Sequence, residues 1–301
     1  MKIHLGHLTH IRKQVITIAL MASLTTLGLA SPALAKEPTG DFAVFKQCPR
    51  FTEGVNLCLY SQTNSGEVTL NKQTVPITNP ITLQGGIIFN EETEAEMFVG
   101  ALNGETLSKS PQPVPGGLAG LIKCNEITEP VAKFACELVF QNGLTGVNAT
   151  TELAKPASEI GINTNNLVNR EGIALSLPVK IRLENPLLGG ACYIGSSSSP
   201  ITWNLTTGTT SPPPPNKPIN GKVGKLEFKD EGSFIEITNN TLVDNSFSAP
   251  GASGCGGLLA PVVDPLIDAK IGLPSAAGQN TAILNNIIKQ ATAGAVIASE
   301  E

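Results

Sequence analysis

The sequence predicts an all-β domain, sandwich or barrel-like, with a C-terminal helix and a disulfide framework. Three observations predict it. Apolar and polar residues alternate with period two along much of the chain, the pattern of half-buried strands. The six cysteines form an even count, as paired sulfurs require. Finally, the 301 residues are 41% hydrophobic and 15% charged, with 30 Gly and 22 Pro, which excludes a coiled coil, a collagen and a wholly disordered chain.

Residues 1–35 read as a secretory signal peptide. Lys2, Arg12 and Lys13 make the start basic, an apolar stretch follows over 15–30, and Ala33-Leu34-Ala35 is a small-residue cleavage site. The mature chain is expected to begin at Lys36. The competing reading is a retained anchor, but the apolar core falls short of the ~20 residues that span a bilayer. No membrane span is therefore expected after cleavage. All three histidines, His4, His7 and His10, lie in this leader. A mature chain without imidazole excludes Ser-His-Asp and Cys-His catalysis and His-ligated zinc or haem. Removing Lys2, Arg12 and Lys13 from the 20 Lys and Arg leaves 17 against 25 carboxylates, a net charge of −8. An acidic chain with no basic cluster is not expected to bind nucleic acid.

Strands are expected at 42–45, 55–60, 68–70, 75–77 and 81–89, and within 144–153. The clearest run is 173–183, where Ile173, Leu175, Leu177, Val179, Ile181 and Leu183 alternate with Ala174, Ser176, Pro178, Lys180 and Arg182. Pro178 lacks an N–H to donate, so this strand is expected at an edge or with a bulge. Ile201, Trp203 and Leu205 repeat the pattern and place the only Trp inward. Leu226 and Phe228, then Ile235 and Ile237, flank Asp230-Glu231-Gly232, the signature of a hairpin. In an oxidising compartment the sequence-local pairs are Cys48 with Cys58 and Cys124 with Cys136, leaving Cys192 for Cys255. A Cys-only metal site is the alternative, although no C-x-x-C spacing occurs.

A helix is expected at about 281–298, where Ile283, Leu284, Ile287, Ile288, Ala291 and Val296 form a stripe after Asn280 as N-cap. It is expected to pack on the domain; as a membrane-surface helix its polar face would carry only Lys289. The segment 206–218, with Pro212-Pro213-Pro214-Pro215, reads as a stiff surface loop within one domain spanning 36–301. The glycines of 251–258 are expected at positive φ. Gly85-Gly86 and Gly116-Gly117 read as bulge or turn markers rather than cofactor contacts.

No catalytic residue and no cofactor is indicated. Glu92, Glu94 and Glu96, if extended, would share one face and offer hard oxygen ligands to Ca²⁺, but charge runs ordinarily face solvent. A carboxylate-only glycan hydrolase needs just two facing carboxyls, for which Asp264 and Asp268, one helical turn apart, are a further pair. Ser108-Lys109 and Ser110 sit in a Pro-rich loop without a suitable helix. Asn148, Asn204 and Asn239 head glycan-acceptor tripeptides. The apolar loop 113–122, with Val114, Leu118, Leu121 and Ile122 just before Cys124, reads either as the lip of a hydrophobic pocket or docking surface, or as a turn capping the core.

Phe42-Ala-Val-Phe-Lys-Gln-Cys-Pro49, Leu57-Cys-Leu-Tyr-Ser61, Pro80-Ile-Thr-Leu-Gln-Gly-Gly86, Pro212-Pro-Pro-Pro-Asn-Lys-Pro-Ile219, Leu242-Val-Asp-Asn-Ser-Phe247, Gly254-Cys-Gly-Gly257 and Gly272-Leu-Pro-Ser-Ala-Ala-Gly278 together resemble a family of secreted actinobacterial proteins of uncharacterised function. The resemblance spans nearly the whole mature chain. It implies export from a Gram-positive cell and carries no activity with it. The expectation is a secreted, non-catalytic protein, released or associated with the envelope, binding a hydrophobic small molecule or a cell-surface protein. A structural or interaction protein of the envelope is the alternative, and a glycan hydrolase the second.

Overall fold

The computed structural model describes residues 36–117, 128–131, 133–134 and 146–300. The chain divides at Ala35/Lys36, and the fold lies in the unit that starts at Lys36. The expected signal peptide and the Cys124–Cys136 bridge lie outside the described residues, and the other two bridges form as expected, Cys48–Cys58 and Cys192–Cys255.

In chain order the strands are β1 (Leu57–Leu70), β2 (Gln73–Pro76), β3 (Ile81–Asn90), β4 (Ala95–Gly100), β5 (Pro111–Pro113), β6 (Asn148–Leu153) and β7 (Gly161–Ile162). There follow β8 (Leu175–Glu184), β9 (Tyr193–Ile194), β10 (Ile201–Leu205), β11 (Lys225–Lys229), β12 (Phe234–Asp244), β13 (Ala252–Ser253) and β14 (Asn280–Thr292). Helices are α1 (Thr164–Asn169), α2 (Ala260–Ile271) and α3 (Ala293–Ala298). The strands form two antiparallel seven-stranded sheets. The first runs β11-β12-β14-β1-β3-β4 with β2 on β1; the second runs β13-β9-β8-β6-β5 with β7 and β10 on β8. Their inner faces share one core, and reciprocal backbone bonds between Thr206 and Val243 stitch β10 to β12.

Alternation decides burial where it was clearest. On β8, Leu177, Val179, Ile181 and Leu183 are buried, and on β10 Ile201, Trp203 and Leu205 are buried while Asn204 is exposed. Before β8 starts the expected pattern is reversed, with Ile173 exposed and Ala174 buried, and Pro178 on the expected outer face is buried too. Leu226 pairs with Ile237 and Phe228 with Ile235, as the hairpin requires. Pro178, however, sits in a central strand, between β10 and the β6/β7 edge. Its carbonyl accepts from Ala154 N–H at 3.0 Å, so its nitrogen faces the same way, into the gap between the end of β6 and the start of β7. The ladder is already interrupted where the proline cannot donate.

Three expectations need correction. The segment 281–298 is not one helix: 280–292 is β14 and only 293–298 is helical. Asn280, Ala282, Leu284, Asn286 and Ile288 are buried and the residues between them half-buried, the period-two pattern of a strand with one face in the core. Apolar residues on both faces, Ile283 and Ile287 as well as Leu284 and Ile288, also satisfy the spacing of a helical stripe, and the β-branched ones favour the strand. Asn280 is no cap; its amide donates to Phe247 O at 2.8 Å and its oxygen accepts from Ser275 Oγ at 2.7 Å. Second, 40–45 is a 3₁₀ turn, not a strand. Its side chains are apolar because they cover the outer face of the first sheet, where Phe45 and Phe42 meet the Phe234 ring edge-on. Third, where the sequence reading goes no further than one helical turn between Asp264 and Asp268, α2 is a twelve-residue helix; Val263, Ile267 and Ile271 repeat at four-residue spacing and Gly272 closes it at φ +84°.

Two glycines mark close approach. At Gly66 a Cβ would stand 1.9 Å from the Ile283 carbonyl oxygen, at the point where β1 exchanges β3 for β2 as its partner. At Gly85 a Cβ would meet Val99 O at 2.4 Å, so this pair lies inside β3 and serves packing.

Candidate functional site

Larger, more open clefts lie on the surface, of about 210 Å³ beside Glu96 and Thr164 and about 540 Å³ beside Arg182 and Glu184, and three small voids lie in the seam between the two sheets. A void of about 50 Å³ lies between the β1–β2 corner and the second sheet, bordered by Val68, Leu70, Val114, Ile181 and Ile271. Toward α1 a second, of about 40 Å³, is bordered by Leu59, Leu167, Leu175, Ile237 and Ile288. Between them lies a third of about 30 Å³, which shares Val68, Ile77, Ile81 and Thr151 with the first and Ser61, Leu83, Leu175 and Leu242 with the second. The voids thus form a row through the core. Among the described residues, no charged side chain borders any of them.

Local structure fixes both ends of this row. Near the first void Gln112, 4% exposed, accepts from the backbone N–H groups of Thr78 (2.8 Å) and Asn79 (2.9 Å) and donates to Asn79 O, tying β5 to the turn after β2. Near the second, Asn163 caps α1 by accepting from Asn166 N–H. At the middle the polar groups form a bonded cluster. Thr63 Oγ1 donates to Asn286 Oδ1 at 2.5 Å, and Asn286 Nδ2 donates to Asn240 Oδ1 at 3.3 Å and to Leu284 O at 3.0 Å. Trp203 borders the same void, and its buried Nε1 has no hydrogen-bond partner among the described residues. These residues were not singled out as site residues beforehand. The signal for Thr63 and Asn286 is a polar residue at an inward position of an otherwise apolar strand face.

Of the apolar loop 113–122, Val114 is 6% exposed and borders the first void, while Leu118, Leu121 and Ile122 lie outside the described residues. The acidic run is not an extended row. Residues 91–94 form the turn between β3 and β4, Glu94 at φ +55°, and only Glu96 is in the strand. Glu96 accepts from Thr164 N–H at 2.9 Å and from Thr164 Oγ1, holding the start of α1. Glu92 and Glu94 are exposed, and no group of three metal-binding side chains occurs among the described residues.

Asp264 and Asp268 lie on α2 and both brace the glycine-rich turn: Asp264 accepts from Gly254 and Cys255 N–H, Asp268 from Ala252 N–H. Burial pushes the Asp268 carboxyl above its ordinary pKa, with the nearby Asp264 charge acting in the same direction. Gly254, Gly256 and Gly257 have positive φ, as expected for that turn, whereas Gly251 does not. Ser108 Oγ accepts from Thr82 N–H and bonds Ser110 Oγ, a structural role. At the β10–β12 junction the buried Asp244 accepts from Asn204 and Ser246 N–H. Desolvation outweighs those two bonds and raises its pKa.

Among the described residues no helix is long and apolar enough to cross a membrane. In comparisons with known proteins, no family model, no curated protein and no solved structure matches this chain.

Proposed function

We propose that this chain acts outside the cell as a non-catalytic binding protein whose inter-sheet seam takes a slender hydrophobic ligand. The observation that carries the reading is the row of voids. Protein interiors hold few spaces larger than a water molecule, and spaces lined by aliphatic side chains stay dry and take up apolar guests. Each void is about 50 Å³ or less, well under the ~150 Å³ that accepts benzene, so the row suits a straight chain and not a ring. The sheets must part slightly to admit it. The leader, the two bridges and the resemblance to secreted actinobacterial proteins support an exported chain.

The test is saturable binding of n-heptane to the exported protein, followed by calorimetry, with mass spectrometry for co-purified lipid. Ala149→Leu, which adds bulk at the first void, is expected to weaken binding by about tenfold while the fold persists. A chain that neither saturates with heptane nor carries lipid removes this reading. The second reading, an interaction protein of the envelope, is favoured by Leu258, 100% exposed beside the Cys192–Cys255 bridge, and by exposed Phe51 and Phe228. It predicts a ligand-free seam and retention on cell-wall preparations that is lost in Leu258→Ser.

A further inference from the structure

Four buried polar side-chain atoms lack partners among the described residues: Thr150 Oγ1, Arg182 Nε, Trp203 Nε1 and Asn245 Oδ1. Thr150 and Arg182 are paired directly opposite one another on the second sheet, on the face away from Ile181 and Leu183. Asn245 is anchored through its own amide, which donates to Lys217 O at 2.8 Å. Trp203 alone of the four borders the central void, and it is 3% exposed. A buried donor of this kind is ordinarily matched, so its place beside a void points to what the void accepts.

We infer that the seam selects a linear aliphatic ketone or ester whose oxygen lies in mid-chain and accepts the Trp203 indole N–H; this rests on the seam being a ligand site. Three observations set that chemistry. At the central void the Thr63 hydroxyl proton is committed to Asn286, and the Asn286 amide protons to Asn240 and Leu284. The Ser61 and Thr151 hydroxyls also border it, and the indole N–H is the fully buried donor there that has no partner among the described residues, so the guest supplies an acceptor. The voids on either side are bordered mainly by aliphatic side chains, with Gln73 and Gln112 at the first and Asn163, Thr164 and Gln290 at the second, so hydrocarbon fits on both sides of the acceptor. Among the described residues no charged side chain borders the row, so a carboxylate terminus would be buried uncompensated by them, which disfavours a free fatty acid.

Trp203 is the chain's only tryptophan, so its indole N–H gives one resonance in a ¹H–¹⁵N spectrum. The experiment titrates the full exported protein with 4-heptanone, 2-heptanone and n-heptane. The two ketones match in size and polarity and differ in where the oxygen sits. The 4-isomer is expected to bind about five- to tenfold more tightly than the 2-isomer and to move the indole resonance downfield. Trp203→Phe keeps a ring and removes the donor, and should abolish the preference while heptane still binds. Should the variant misfold, the isomer ratio and the resonance in the unmodified protein decide. Equal affinity for the two ketones, a stationary indole resonance, or a preference that survives in Trp203→Phe overturns the inference while heptane binding leaves the seam standing. Failure of all three probes removes both.

Discussion

Replacing Cys192 and Cys255 by alanine opens a bridge that spans 63 residues, whereas the Cys48–Cys58 bridge spans 10. If a bridge acts chiefly by restricting the unfolded chain, the loop-entropy expression gives about 4.3 kcal/mol for the long loop and about 2.7 kcal/mol for the short one at 25 °C. All four cysteines are buried, so the packing lost with each sulfur pair is comparable and the difference of about 1.6 kcal/mol belongs to the loops. Against a total stability of about 5–15 kcal/mol, the long-loop variant should be visibly fragile. The assay is equilibrium urea unfolding of the two double-alanine variants beside the parent. With a slope of about 3 kcal/mol/M, the variants should differ in midpoint by about 0.5 M, the Cys192/Cys255 variant unfolding first. The structure adds a second consequence: Cys255 anchors the turn that leads into α2, whose Ile271 borders the first void, so this variant should also bind heptane less well. Equal midpoints, or the reverse order, would refute the reasoning and assign the stabilisation to native-state contacts.

Three further perturbations follow from single contacts. Asp244 has a folded pKa above its ordinary 3.8, so the folded state holds the proton more firmly than the unfolded one, and stability falls as pH rises through the interval above 3.8. Glu236 runs the other way, because its hydrogen bond from Lys229 lowers its pKa below 4.5, and its contribution is full above 4.5 and lost on acidification. In Asp244→Asn, urea midpoints stepped across acid pH should lose the falling component and keep the acid-labile one; an unchanged profile would contradict the assignment. Arg50 pairs with the mostly buried Glu300 and donates to Lys36 O, tying 36–50 to the C-terminal end. Arg50→Ala should cost about 3 kcal/mol and expose the amides of 40–45 first in hydrogen exchange, with protection spread evenly over the chain as the adverse result. Glu96→Ala should cost about 1–2 kcal/mol through the start of α1, and millimolar Ca²⁺ should move the unfolding temperature of the parent by less than about 1 °C; a Ca²⁺ shift abolished in the variant would restore the carboxylate row as a cation site.

Which elements are readable in advance depends on whether one face is wet. On β8 and β10 the outer side chains are polar, so alternation names both the strand and its buried face, and Trp203 falls inward as read. On β14 the outer face carries half-buried Ile283 and Ile287 among Thr281, Asn285 and Lys289, and only Ala291 joins the outer cluster with 40–55 and α3, so apolar residues occur on both faces and the period is lost to inspection. The segment 40–45 fails for the related reason that an apolar cover over a sheet has the composition of a strand without its pairing. Leu226 and Phe228 err oppositely: the hairpin is correct, yet β11 is a sheet edge and both side chains are substantially exposed. Candidate site residues were harder to see. Val114 could be found because an apolar run in a loop is unusual, whereas the void row exists only once two distant sheets are brought face to face.

The polar side chains inside the seam fall into two kinds. Asn240, Asn280, Asn286 and Gln112 all interrupt apolar faces, and each is repaid by bonds that fasten a loop or a neighbouring strand. Their conflict with the binary pattern is therefore explained by fold specification. Trp203 is different in kind. An unmet buried donor costs about 1–3 kcal/mol, and neither packing against Phe247 at 6.3 Å nor inward placement on β10 recovers it. Among the described residues the nitrogen is the part of the residue that has no partner, so the physical case for a guest in the seam is strongest at that one atom, and Trp203→Phe should remove the preference for a mid-chain oxygen while its smaller ring costs packing beside the central void.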